Sequence, residues 1–141
     1  MRKLKSILHL IPRLIVAIIL LQTLWFKFGI GGQDALEQSK LLFGTLTHEL
    51  FGDSSYEIYF RIATGITELI ASILVLYKPK SLYGALLASS IMLGALIAHV
   101  FFIGVSFQGD GGQLMILAII VLFSSMKIIW DEQEQFEQIL P

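Results

Sequence analysis

The chain has 141 residues, 55% hydrophobic and 15% charged, with a formal net charge of −1 and a mean hydropathy of +0.77. A water-soluble domain sits near 45–50% apolar and roughly 25% charged, so a soluble core of this size cannot absorb the apolar excess, and residues 1–141 read as a single integral membrane domain. The charge balance gives no basic patch for nucleic acid, and the lack of cysteine excludes disulfides, thiolate metal sites, thiol redox chemistry and iron–sulfur clusters.

Met1-Arg2-Lys3-Leu4-Lys5 has the character of a signal-peptide n-region. The apolar stretch after it is longer than a signal h-region, and no small-x-small site precedes Lys27, so it reads as a retained span over about 9–28. Pro12 falls in the first turns of this helix, where a missing N–H costs little. The connection 29–56 follows. Asp34-Ala35-Leu36-Glu37 reads as an N-cap with Glu at the third helical position. Leu36, Phe43, Leu46 and Leu50 recur at helical spacing, which suggests a short amphipathic helix on the surface or capping the bundle.

Three further spans are expected at about 57–77, 82–105 and 113–130. The second is apolar except for Arg61 and Glu68, and the third holds no Asp, Glu, Lys or Arg and carries His99. None alternates with period 2, so strands are excluded. Each run is long enough, at about 1.5 Å per residue, to cross a hydrocarbon core of about 30 Å. Lys78-Pro79-Lys80 and Gly109-Asp110-Gly111-Gly112 read as tight turns, and residues 131–141 as an acidic tail. The fold class is therefore all-α, a four-transmembrane-helix bundle with one long outer loop.

Lysine and arginine set the orientation. With the N-terminus cytoplasmic, Arg2, Lys3, Lys5, Arg13, Lys78, Lys80 and Lys127 lie inside and only Lys27, Lys40 and Arg61 outside. This favours cytoplasmic termini in a cell (inner) membrane.

In that orientation Gln22, Lys27, Arg61, Glu68, His99 and Asp110 all fall in the outer half, with no equivalent in the inner half. A carboxyl at mid-span is costly in lipid (about 2.5–3.5 kcal/mol or more), so Glu68 must face protein or water. Arg61 lies two turns from it on the same face. Gly65, Gly94 and Ala98 are expected at helix contacts. Each residue also has a plainer role open to it. Lys27 and Arg61 can snorkel, Glu68 can fix helix register, His99 can bond a neighbouring helix, and Asp110 can serve its turn. Taken together they suggest an outward-opening polar pocket. His9, His48 and His99 lie at different depths, which argues against a bis-histidine haem. No metal-ligand spacing occurs. A quinone headgroup fits better, since it needs hydrogen-bond donors and an ionisable partner.

Several stretches resemble the DoxX family of small four-helix membrane proteins: Leu20-Leu21-Gln22-Thr23-Leu24-Trp25-Phe26-Lys27-Phe28, Arg61-Ile62-Ala63-Thr64-Gly65-Ile66-Thr67-Glu68, then Gly84-Ala85, Gly94-Ala95, His99, Gly104 and Asp110-Gly111-Gly112. The resemblance runs from Arg13 to about Trp130. It implies a quinone-linked or accessory redox membrane subunit, with Lys27, Arg61, Glu68, His99 and Asp110 at the polar positions of the matching motifs. Two other readings stand beside it. One is a non-enzymatic membrane partner or assembly factor, acting with another protein subunit or as a homo-oligomer. The other is a small-solute carrier, against which the chain lacks Gly/Pro-broken helix pairs and inverted repeats.

Overall fold

The computed structural model describes the backbone of residues 2–137 and the side chains of residues 7–133. Residues 138–141 of the expected tail, and the side chains of Arg2, Lys3 and Lys5 used for the orientation, lie outside the described residues. Five helices follow in order: α1 Arg2–Lys27, α2 Gln33–Phe51, α3 Glu57–Leu76, α4 Ser81–Ala98 and α5 Gln113–Glu137. Single 3₁₀ turns at Ser54–Tyr56 and Lys78–Lys80 flank α3, and a π turn over His99–Ile103 ends α4. No strand occurs among the described residues.

Four stretches are long and apolar enough to cross a membrane: Ile7–Lys27, Ser54–Leu76, Lys78–Ile103 and Gln113–Gln133. Only 22–33% of each is buried within the protein, so their apolar side chains mostly face outward, among them Ile18, Ile73, Phe101 and Phe123. Such a surface would aggregate in water and is what lipid requires.

The four long helices pack as neighbours in the cycle α1–α3–α4–α5–α1, and α2 lies across α1, α3 and the π turn. The two ends of this arrangement are called here the α2 end and the terminal end, the latter holding the start of α1 and the close of α5. The interior is made of small and medium residues, with Val16, Leu20, Ala71, Val75, Ala85, Ala88 and Val121 fully buried. Lipid tails are as apolar as leucine, so association relies on close packing rather than on the hydrophobic effect. Gly84 provides the closest approach. A Cβ there would strike the Val75 amide nitrogen and lie 2.8 Å from the Leu74 carbonyl carbon, which pins α4 on α3 near the terminal end. Gly65 packs against α1 as expected, a Cβ there meeting Phe28 at 2.7 Å. Gly94 does not: a Cβ there meets nothing within 4 Å. Gly84 is thus a helix contact and Ala98 is buried, whereas Gly94 lies on the exposed side of α4.

The connection 29–56 is mostly helix. Its N-cap is Gly32 at φ 99° rather than Asp34, and no side chain caps it. A glycine turn delivers the chain directly into the helix, so Asp34 acts only through the helix dipole, and Glu37 pairs with Lys40 at 2.9 Å. At the far end Gly52 closes α2 in the left-handed region, its N–H donating to the His48 carbonyl at 2.7 Å. Phe51 then meets Tyr56 edge-on and Phe60 at a tilt, fastening α2 to the start of α3.

Candidate functional site

At the α2 end the long helices part around a cavity of about 740 Å³ that α2 covers. Gln22, Lys27, Glu68, His99 and Asp110 all border it. Arg61 does not.

The polar wall is built by α1 and α3. Glu68 is 3% exposed, and Lys27 Nζ lies 2.8 Å from its Oε2. Thr23, one turn before Lys27, donates its hydroxyl to the same oxygen at 2.7 Å. The Lys27 ammonium also stands 5.9 Å from the centre of the Phe43 ring on α2, within cation–π range. Lys27 therefore turns inward instead of snorkelling. The buried carboxylate supplies the counter-charge that makes burial of the ammonium tolerable.

Arg61 corrects the expectation of a shared pocket. Its Nε donates to Glu57 at 2.9 Å, one turn earlier on α3, and Nη1 donates to the Lys27 backbone carbonyl. The last carbonyls of a helix lack intrahelical donors, and Arg61 satisfies one of them at the end of α1. Glu57 and that carbonyl are nearer partners than Glu68, which is two turns away. Arg61 thus holds the backbone of the residue whose side chain pairs with Glu68.

His99 is 5% exposed and opens the π turn. Its Nδ1 lies 2.9 Å from the Gly104 carbonyl oxygen. A carbonyl only accepts, so Nδ1 carries the proton and Nε2 bears the lone pair in the neutral ring. No other described residue is hydrogen-bonded to the ring. Single π turns occur often at functional sites, and this one brings a buried imidazole to the cavity.

Asp110 serves its turn and borders the cavity as well. It accepts from the backbone N–H groups of Gly112 at 2.8 Å, Phe107 at 3.0 Å and Leu114 at 3.1 Å. Burial opposes its charge, but the donors from Gly112, Leu114 and Phe107, with the Ser106 hydroxyl, outweigh it and hold the carboxyl below the ordinary aspartate range. Gln22 is exposed and borders the cavity from α1. Sequence reasoning missed Thr23, although its spacing of four from Lys27 places both on one helix face.

The sequence reading expected no such groups in the opposite half, but buried polar residues occur there too. Near the terminal end Arg13 on α1 pairs with Glu132 on α5, and Glu132 also accepts from the Ser81 hydroxyl at 2.9 Å. His9 Nδ1 lies 2.9 Å from Asp131, which also pairs with Lys127. Asp131 and Glu132, 7% and 8% exposed, belong to the helix interface rather than to a solvated tail. α5 continues past Trp130 and so turns the carboxylates of Asp131 and Glu132 toward His9 and Arg13. Among the described residues no group of three or more His, Asp or Glu gathers closely enough to hold a metal ion.

Four bilayer-length apolar helices, with charges paired inside and apolar side chains outside, are the features of a multi-pass helical membrane protein. Comparisons with protein-family models, curated proteins and solved structures find no match to this chain.

Proposed function

We propose that the protein is a membrane subunit of quinone-linked or accessory redox type, a four-transmembrane-helix bundle whose cavity receives the polar headgroup of an amphiphile such as a quinone. The observation that carries this reading is the pairing, in one cavity, of a buried imidazole with a free nitrogen and a buried Lys27–Glu68 pair. The volume falls in the range of about 300–1,000 Å³ usual for small-molecule sites. A quinone carbonyl accepts hydrogen bonds. Lys27 offers a cationic donor, and His99 Nε2 becomes a donor when the ring is protonated. In this reading the termini are cytoplasmic and α2 faces outward, as the lysine and arginine distribution favours.

Binding of decylubiquinone to the protein in lipid nanodiscs tests it. The parent protein should bind, and His99→Leu should weaken binding roughly tenfold while keeping its helical circular dichroism and elution volume. Equal affinity in the two proteins, or no binding by the parent, overturns the reading.

A further inference from the structure

We infer that the ligand reaches the cavity sideways from the bilayer, through the seam between α3 and α4, and is therefore a membrane-dissolved molecule with an uncharged apolar tail. This rests on the reading that the cavity takes a ligand, and it adds the ligand's class and its route.

Residues of both helices that border the cavity mark the seam: Thr64 and Thr67 on α3, and Ser90, Gly94 and Ile97 on α4. At Gly84 the backbones of α4 and α3 touch, and the helices cannot part there. Ten residues on, about 15 Å along the axis, Gly94 meets nothing within 4 Å. Gly94 lies about 80° round the helix axis from Gly84, on the exposed side of α4 that also carries Ser90 and Ile97. Gly94 and Ser90 are exposed at the surface, Ile97 is 52% exposed, and all three border the cavity. The cavity therefore reaches the outer surface along this line. Gly94 lies about 13 Å inside the span that ends at Ile103, at a depth where the surrounding medium is hydrocarbon. Only a molecule already dissolved in the bilayer meets an opening there.

The chemistry of the seam selects the tail. From Leu82 to Gln108 there is no Asp, Glu, Lys or Arg. Two of the three hydroxyls that border the cavity from α3 and α4 are satisfied within their own helices: Ser90 donates to the Leu86 carbonyl at 2.9 Å and Thr67 to the Thr64 carbonyl at 2.8 Å. An alkyl or isoprenoid chain passing them desolvates no free donor. The wall between α1 and α5 differs, because there the exposed amides of Gln22 and Gln113 border the cavity and would have to shed water. The imidazole of His99, 95% withdrawn from the surface and with Nε2 unpartnered, lies within, so the polar end of the ligand leads and the tail trails into lipid.

A carbene probe dissolved in the bilayer, adamantane diazirine, tests the route in proteoliposomes, with label mapped by mass spectrometry. Met92 is 6% exposed and borders the cavity, while Leu86 is 46% exposed on the outer face of α4. Both should be labelled in the parent protein. Gly94→Phe should lower labelling at Met92 roughly fivefold or more and leave Leu86 unchanged, as expected for a blocked gate. Ser90→Phe narrows the same seam and serves where Gly94→Phe does not fold. Met92 labelling that is absent in the parent, or unchanged in a folded seam variant, overturns the inference. Decylubiquinone added to the same vesicles should protect Met92. Failure to protect it, with the seam variants still blocking label, defeats the quinone reading and leaves the lateral route standing.

Discussion

Lys27, in the last turn of α1, and Glu68, midway along α3, form a buried ion pair at 2.8 Å in the wall of the cavity. Both residues are largely withdrawn from the outer surface, at 8% and 3% exposed. The pair joins two helices, borders the proposed ligand space and is held by Thr23 from one side and by Arg61 through the α1 backbone. Its energetics are open to a direct test.

Removing one partner strands the other. Glu68→Gln or Lys27→Met should each destabilise the protein by roughly 3–5 kcal/mol, the usual cost of an orphaned buried charge. The double variant should recover much of that loss, because no charge remains buried. A double-mutant cycle of unfolding equilibria in mild detergent measures the coupling. Strictly additive losses would show that the two charges do not depend on each other.

The two α4 glycines should respond with opposite sign to the same substitution. Gly84→Ala drives a methyl group into the α3 backbone and should cost roughly 1–3 kcal/mol through overpacking. Gly94→Ala enters open space and should stabilise by up to about 1 kcal/mol, since alanine is the better helix former. Thermal unfolding of both variants beside the parent decides it. Equal destabilisation would show that Gly94 is packed and would close the proposed seam there.

Asp110 gives the turn before α5 a defined pH response. Its carboxyl is held below the ordinary aspartate value by backbone donors, so its contribution is present above the unfolded value of about 3.9 and is lost as pH falls through the lower folded value. Hydrogen exchange should show the amides of Gly112 and Leu114 protected at neutral pH, with protection factors falling only below about pH 3.9. Asp110→Asn should lower protection at Leu114 at neutral pH and remove the acid step. An unchanged Leu114 amide in that variant would remove Asp110 from the turn's support.

The span positions were legible because a bilayer imposes a length and a composition that any window of sequence can be measured against. Helix starts were less legible. Asp34 looked like a cap, yet the preceding glycine turn determined where α2 begins. The candidate site was legible in part. Depth along antiparallel helices brought Lys27, Glu68, His99, Asp110 and Gln22 to one end, and the cavity they border lies there. Arg61 has the same depth and a different neighbour. Depth is one coordinate, and contact requires rotation about each helix axis as well, which depends on how the helices pack.

What the sequence determined by itself is the solvent of each segment: four stretches too apolar for water, and a few charges too costly to leave in lipid. That much is a transfer free energy, a sum over residues that needs no knowledge of neighbours. Only the tertiary structure decided the partners. It turned Lys27 inward onto Glu68, sent Arg61 to the end of α1, folded Asp131 and Glu132 against His9 and Arg13, and left Gly94 open while closing Gly84. These are pairwise distances between segments far apart in the chain, and they arise when helices of fixed hand and length are packed against one another.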